Sequence, residues 1–154
     1  MISTLGITTT LDISMNNSQL ENSVAETIRS LLLPYLENFH NYRIDAFPGE
    51  VVVKGQVDDK ETSRTLVLKV LINHNDKQIL IPNIFMPEFM RHHGIGKRAI
   101  SMILGVAESH GYDLFIVDLV RSFYDRLVKR GAIVCEENEV VLITRETDLS
   151  HNYA

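Results

Sequence analysis

The sequence predicts an α/β (α+β) domain, a mixed and mostly antiparallel sheet flanked by helices, with one parallel βαβ unit. Three observations carry this. Three β-rich apolar runs, residues 51–57, 64–72 and 78–86, follow one another across short polar links. Links of that length cannot hold crossover helices, so the runs pair as an antiparallel meander. A glycine turn then opens a helical pattern over residues 97–110, which leads into a short apolar run at 114–117. That order reads as strand, loop, helix, strand. Finally, 154 residues with 45% apolar and 23% charged content suffice for one core.

The elements follow in order. Residues 5–13 are threonine-rich and alternate, the pattern of a first strand. Ser18-Gln19-Leu20-Glu21 reads as a capping box. Leu20, Val24, Ile28, Leu31 and Leu32 then recur at helical spacing. Pro34 is expected to kink or split this helix, leaving a second short helix with Tyr35, Leu36 and Phe39. Pro48-Gly49 signals a turn into the meander. In the 97–110 helix, Ile100, Ile103, Leu104 and Ala107 share a face, with Met102 and Val106 beside it. So broad an apolar band belongs to a helix laid on a sheet.

Val120, Phe123, Tyr124, Leu127 and Val128 form a further helical stripe, closed by Gly131. Residues 133–135 and 140–143 read as a final hairpin. Cys135, within it, reads as a buried, inert thiol. The polar tail after Arg145 is expected to fray. The chain is therefore read as a single domain over 1–154, with its motif-bearing core at about 78–145 and a frayed tail at 146–154.

Charge and cysteine usage restrict the function. The net charge is −5, which argues against a general nucleic-acid binder. One cysteine allows no internal disulfide framework. The N-terminus lacks the basic-then-apolar pattern of a signal peptide, and no apolar run is long enough to cross a bilayer. A cytoplasmic protein without membrane contact is expected.

The most informative stretch is "FMRHHGIGKRAI", residues 89–100. Glycines let backbone approach a ligand closely, and the first-turn amides of the following helix face the loop. No Ser, Thr, Asp or Asn stands just before the helix to cap them. Lys97 and Arg98 add positive charge. A P-loop fails, because the glycine it needs five residues before Gly96 is Arg91. The dinucleotide fingerprint fits as Gly94-x-Gly96-x-x-Ala99, with Asp118 at a plausible distance. Against it, residues 87–93 separate strand from glycine, and the chain has one βαβ unit only. A nucleotide-binding domain stays open as an alternative.

Arg91-His92-His93-Gly94-Ile95-Gly96 also fits R/Q-x-x-G-x-G/A, and here the chain resembles the GCN5-related N-acetyltransferase (GNAT) superfamily. "IFMPEFMRHHGIGKRAI" resembles that superfamily's strand, Pro-Glu bend, glycine loop and helix, and "SFYDRLVKRGA" resembles its later helix. The match covers about residues 81–132. The resemblance implies a GNAT-like fold, acetyl-coenzyme A as cosubstrate and an amine as acceptor. It places Arg91, His92, His93, Gly94, Ile95, Gly96 and Lys97 around the pyrophosphate. Ile84, Phe85 and Met86 would pair with the pantetheine arm, in a strand that splays from residues 114–117. Pro82 lies in this strand and cannot donate to a ladder, so it marks either the bulge where the strand bends, the favoured reading, or an end of pairing.

By the same resemblance, Tyr124 is the acid for the departing thiolate; its place on the apolar stripe equally reads as plain core. Asp118 stands where many members carry an asparagine that contacts the pantetheine. Glu50, Glu88, Asp118 and a bound water are all open as general base. The alternative is a catalytically weak or inactive module that keeps the fold and binds coenzyme A or a protein partner. A homodimer is compatible with the sequence. His92 and His93 adjoin without a third ligand at matching spacing, so no metal is expected.

Overall fold

The computed structural model describes residues 2–59 and 65–150. Helix α1 (Ile2–Leu36) precedes four strands, β1 (Asn41–Phe47), β2 (Glu50–Gln56), β3 (Thr65–Asn73) and β4 (Gln78–Ile84). A short 3-10 turn (Glu88–Met90) leads to α2 (Ile95–Ser109) and β5 (Asp113–Ile116). Helix α3 (Arg121–Lys129) and the hairpin β6 (Ile133–Glu136) and β7 (Val140–Ile143) complete the chain. The seven strands form one sheet in the order β1-β2-β3-β4-β5-β7-β6. Every pairing is antiparallel except β4 with β5. The architecture is thus mixed α/β, with a mostly antiparallel sheet and one parallel βαβ unit.

The N-terminal expectations need correction. Residues 5–13 are helical, not a strand, and the helix already runs through the capping box at Ser18. Once a helix is nucleated, each further residue adds a hydrogen bond for the dihedrals it fixes, and weak threonine propensity is overridden. Pro34 does not split the helix. It sits in the last turn, where the helix ends two residues later at Leu36, and Phe39 lies in the following turn. Strand β1, for which no element was expected, pairs with β2 along its whole length, from Asn41↔Gln56 to Phe47↔Glu50. Cys135 is exposed, because β6 is a sheet edge with all four residues open to solvent. The tail does not fray over 146–150. Thr147 is buried, and Asp148 N–H donates to the Arg130 carbonyl at 2.7 Å.

The core lies between α1, α2 and the sheet. Leu20, Val24, Ile28, Leu31 and Leu32 of α1 are all buried, as their spacing requires. They meet Val51 and Val53 of β2, Val70 of β3, and Ile100 and Ile103 of α2 in one cluster. A charged side chain enters this layer. Glu21 is only 2% exposed. Its carboxylate accepts from Gly49 N–H at 2.8 Å and contacts His74 Nε2 at 3.0 and 3.2 Å. His74 Nδ1 lies 2.6 Å from the Tyr112 hydroxyl. A neutral histidine satisfies the whole chain of bonds: Tyr112 donates to Nδ1 and Nε2–H donates to Glu21. The network ties α1 to the β1–β2 turn, the β3–β4 turn and the residue leading into β5.

Two outcomes follow from this network. His74→Ala leaves a buried carboxylate with one donor fewer, and should lower unfolding free energy by about 2–4 kcal/mol in a denaturant titration. The Tyr112 hydroxyl is held above the ordinary tyrosine range by burial, and secondarily by the Glu21 charge. Its folded pKa is raised, so its contribution is fully present below the unfolded value of about 10 and is lost as pH climbs through the folded one. The wild-type protein should therefore lose stability with rising pH above about 10 more steeply than Tyr112→Phe, read as unfolding midpoint against pH.

Candidate functional site

The site starts from a fault in β4. The β3–β4 register shifts between Lys69 and Leu71, which pair with Asn83 and Leu80. Val70 thus faces two residues, Ile81 and Pro82, and the strand carries a bulge there. Proline, which has no N–H to donate, is tolerated inside a sheet at such a bulge. The parallel ladder to β5 ends at the same point. Its last register pair is Ile81↔Ile116, closed by Val117 N–H to the Ile81 carbonyl at 3.1 Å. Beyond it, β4 stays with β3, where Phe85 N–H donates to the Val67 carbonyl at 2.7 Å. The chain after β5 turns away through Asp118, whose φ of 54° is left-handed. A cavity of about 120 Å³ opens between the two strands, lined by Ile81, Pro82, Ile84, Ile116, Asp118 and Phe123 among others.

The loop between β4 and α2 is folded tightly. Met90 N–H donates to the Pro87 carbonyl at 2.9 Å, and Arg91 Nε to the Met86 carbonyl at 2.9 Å. Met90 is buried beneath it. The end of α1 holds the loop from one side. The Phe39 and Phe89 rings meet edge-on at 5.1 Å, and Tyr35 stands 5.5 Å from His93. His92 and Gly94 both adopt positive φ, 66° and 69°. Gly94 is the N-cap of α2 and offers no side chain to its amides. The first helical bond is Arg98 N–H to the Gly94 carbonyl at 3.0 Å. The amides of Ile95, Gly96 and Lys97 precede it and point out of the helix end.

A second cavity, of about 590 Å³, lies at this helix end. Met86, Arg91, His92, Gly94, Ile95, Gly96 and Lys97 line it from the loop. Phe123, Arg126, Leu127 and Arg130 line it from α3. In a chain of net charge −5, four cationic side chains converge on one helix N-terminus. That arrangement suits an anion. Phe123 walls both cavities, so the opening between β4 and β5 adjoins the cationic one.

Most of the residues singled out in the sequence are brought together here. Ile84 and Asp118 line the strand opening, and Met86 with Arg91, His92, Gly94, Ile95, Gly96 and Lys97 lines the loop cavity. Phe85 is exposed, and His93 turns to Tyr35. Tyr124 lies apart. It is 7% exposed, belongs to the core cluster and lines neither cavity; its neighbour Phe123 lines both. Phe123, Arg126, Leu127 and Arg130 were missed as site residues. Their signal was the spacing 123, 126, 127, 130, one face of a helix that alternates ring, cation, aliphatic and cation. The Arg126 guanidinium stacks over Phe123 at 5.7 Å, which holds both on that face. Among the described residues no group of three His, Cys, Asp or Glu could hold a metal ion. No helix among them is long and apolar enough to cross a membrane. No protein-family model matches the chain, and no curated protein matches it.

The two glycines of the loop have different causes. Gly94 is required by its own backbone, since a φ of 69° strains most side chains. Gly96 is not in that region, and a Cβ built on it would meet nothing nearer than Ile84 Cγ2 at 4.0 Å. The fold leaves that space open. Gly96→Val should therefore change the unfolding free energy by less than about 1 kcal/mol. It should weaken binding of inorganic pyrophosphate roughly tenfold or more, measured by calorimetry, by obstructing a charge-assisted contact to the helix amides. Unchanged affinity would remove this helix end from any anion site.

Proposed function

We propose that the chain binds acetyl-coenzyme A and transfers its acetyl group to an amine. The observation that carries this is the conjunction of a sheet opened at Pro82 with an uncapped, cation-ringed helix end beside the opening. This is the arrangement that the resemblance of residues 81–132 to the GNAT superfamily leads one to expect. The residues also fit the ligand by their own chemistry. The open space over Gly96 is a cradle that a side chain would fill, and Arg91, Lys97, Arg126 and Arg130 can neutralise a pyrophosphate.

When bound, acetyl-coenzyme A supplies an activated acyl thioester. The amides of Ile95, Gly96 and Lys97 fix the phosphates, and the last residue of β4, Ile84, with Phe85 and Met86 after it, guides the pantetheine towards the opening. Ile81, Ile84, Ile116, Leu119 and Phe123 keep the opening apolar, which limits hydrolysis. Asp118 is the titratable side chain among the residues that line it. Its carboxylate takes the proton that the acceptor amine gives up, directly or through a water.

A second reading, coenzyme A binding without transfer, has one specific observation behind it. Neither cavity is lined by Ser, Thr or Tyr, and Tyr124 lies in the core, so no neutral hydroxyl stands ready for the thiolate.

Three measurements separate the readings. Acetyl-coenzyme A should raise the melting temperature, while NAD at equal concentration should not, because only a ligand of the native state stabilises by mass action. A screen of amines that follows free thiol should find an acceptor. With it, Asp118→Asn should lower turnover by about a hundredfold and Tyr124→Phe by no more than severalfold, both at nearly unchanged coenzyme A affinity. Stabilisation without transfer to any amine favours the binding reading, and stabilisation by NAD alone favours a nucleotide site. A hundredfold loss in Tyr124→Phe would assign the acid to that phenol.

A further inference from the structure

The segment after β7 is a strap laid across the cationic end of α3. It is anchored by its own bonds: Thr144 N–H donates to Thr147 Oγ1 at 3.1 Å, and Thr147 N–H to the Thr144 carbonyl at 3.0 Å. Thr147 is 6% exposed. The strap also depends on Gly131, whose φ is 99°. A Cβ there would stand 3.1 Å from the Glu146 carbonyl oxygen, so a larger residue would be strained by its φ and would crowd the strap.

Docked this way, the strap holds two of the cations that line the loop cavity. Arg130 Nη1 donates to the carbonyls of Asp148 at 2.9 Å and Ser150 at 3.5 Å. Lys97 Nζ reaches the Ser150 carbonyl at 3.5 Å. The strap brings a carboxylate as well. Asp148 Oδ1 accepts from Ser150 N–H at 2.9 Å. The Asp148 carboxyl is held below its usual range by the Ser150 hydrogen bonds first, then by the Arg130 and Lys97 charges.

We propose that residues 144–150 form an autoinhibitory strap that competes with an anionic ligand for Lys97 and Arg130. With the loop cavity empty, the strap's carbonyls occupy these cations, and the Asp148 charge acts on them through space. A pyrophosphate-bearing ligand draws them off, because a multiply charged anion adds Coulomb attraction and bidentate bonding to guanidinium and ammonium that a neutral carbonyl does not offer. Coupling of this kind is reciprocal: the ligand loosens the strap by the same factor by which the strap weakens the ligand. The naming of coenzyme A as ligand rests on the function proposed above. The competition itself requires only an anion.

The test uses the full chain with two probes, inorganic pyrophosphate and coenzyme A. Asp148→Asn keeps an oxygen for Ser150 N–H and removes the charge. It should bind both probes about two- to fivefold more tightly, the scale of one exposed charge–charge interaction, with the gain shrinking as salt is added. In the wild type, saturating ligand should speed hydrogen exchange at the Thr147 and Asp148 amides. Unchanged or weaker binding by Asp148→Asn, or slower exchange with ligand, would make the strap a brace and overturn the proposal. So would a failure of both probes to bind. If pyrophosphate shows the coupling and coenzyme A does not bind, the strap proposal stands and the coenzyme A reading falls.

Discussion

Pro82 has no N–H, and much of the site is arranged around that absence. A proline in the interior of a seven-stranded sheet would remove a ladder bond, unless the register slips to accommodate it. In β4 it does slip, with Val70 facing both Ile81 and Pro82, and the parallel ladder with β5 ends at Ile81↔Ile116. From there the two strands have different partners: β4 keeps β3, and the chain after β5 leaves through the left-handed Asp118. An opening in a sheet otherwise exposes unpaired backbone, which is costly when dry. A ligand with amide groups of its own could pair with it, and this is why an opened parallel pair reads as a place for an extended polar arm.

An opened sheet has to be held together elsewhere. The Glu21–His74–Tyr112 network does this through the β1–β2 turn, the β3–β4 turn and the residue that precedes β5. Those places lie at the end of β4 and β5 where the parallel ladder starts, Gln78↔Asp113, away from where it fails. Burying a carboxylate is expensive unless its donors are in place. The network is accordingly specific about position, since Glu21 is satisfied only if both turns and α1 are in register. At the other end, Tyr35 of α1 and Phe39 of the turn that follows it hold the glycine loop. A single helix thus clamps the closed end of the sheet and shapes the loop at its open end.

How far the sequence disclosed this depends on the kind of signal. The meander, the parallel unit, α2 and α3 were legible because their apolar periods agree with their environments, and the core positions Leu20, Val24 and Ile28 followed from spacing alone. β1 was legible and missed. Asn41-Tyr42-Arg43-Ile44-Asp45-Ala46 alternates polar and apolar without a break, but its polar members and the preceding aromatic residues masked the period. The threonines of residues 5–13 misled because local propensity is a weak guide inside a continuing helix. In the site, the loop residues were found through a motif. The α3 residues Arg126 and Arg130 were not, because on a helix such arginines look like any solvated face until something cationic is seen opposite them. The ordered strap was invisible for a different reason: it rests on Gly131 and on backbone carbonyls, and carbonyls carry no sequence signature.

The Tyr124 position shows how two neighbours on one helical stripe can face different surroundings. Phe123, Tyr124 and Leu127 are all apolar-facing by period, and a phenol next to a ring that walls both cavities invites a catalytic role. On a helix, though, adjacent residues diverge by about 100°, so that neighbours in sequence seldom share an orientation. Phe123 and Leu127, four apart, face the loop cavity together, and so do Arg126 and Arg130. Tyr124 turns into the core with the other buried side chains. What α3 presents to the site is therefore a ring, an aliphatic residue and two guanidinium groups. Those groups recognise charge and exclude water but move no proton near neutral pH. Of the side chains lining the two cavities, Asp118 is the one carboxylate, and it lies in the strand opening. A transfer reaction at this site would have to run on a carboxylate that accepts the amine's proton, with the thiolate leaving unaided or through solvent. That favours a slow enzyme, with strongly basic amines disfavoured and weakly basic, readily deprotonated amines preferred, since a single carboxylate is a poor base for an alkylammonium.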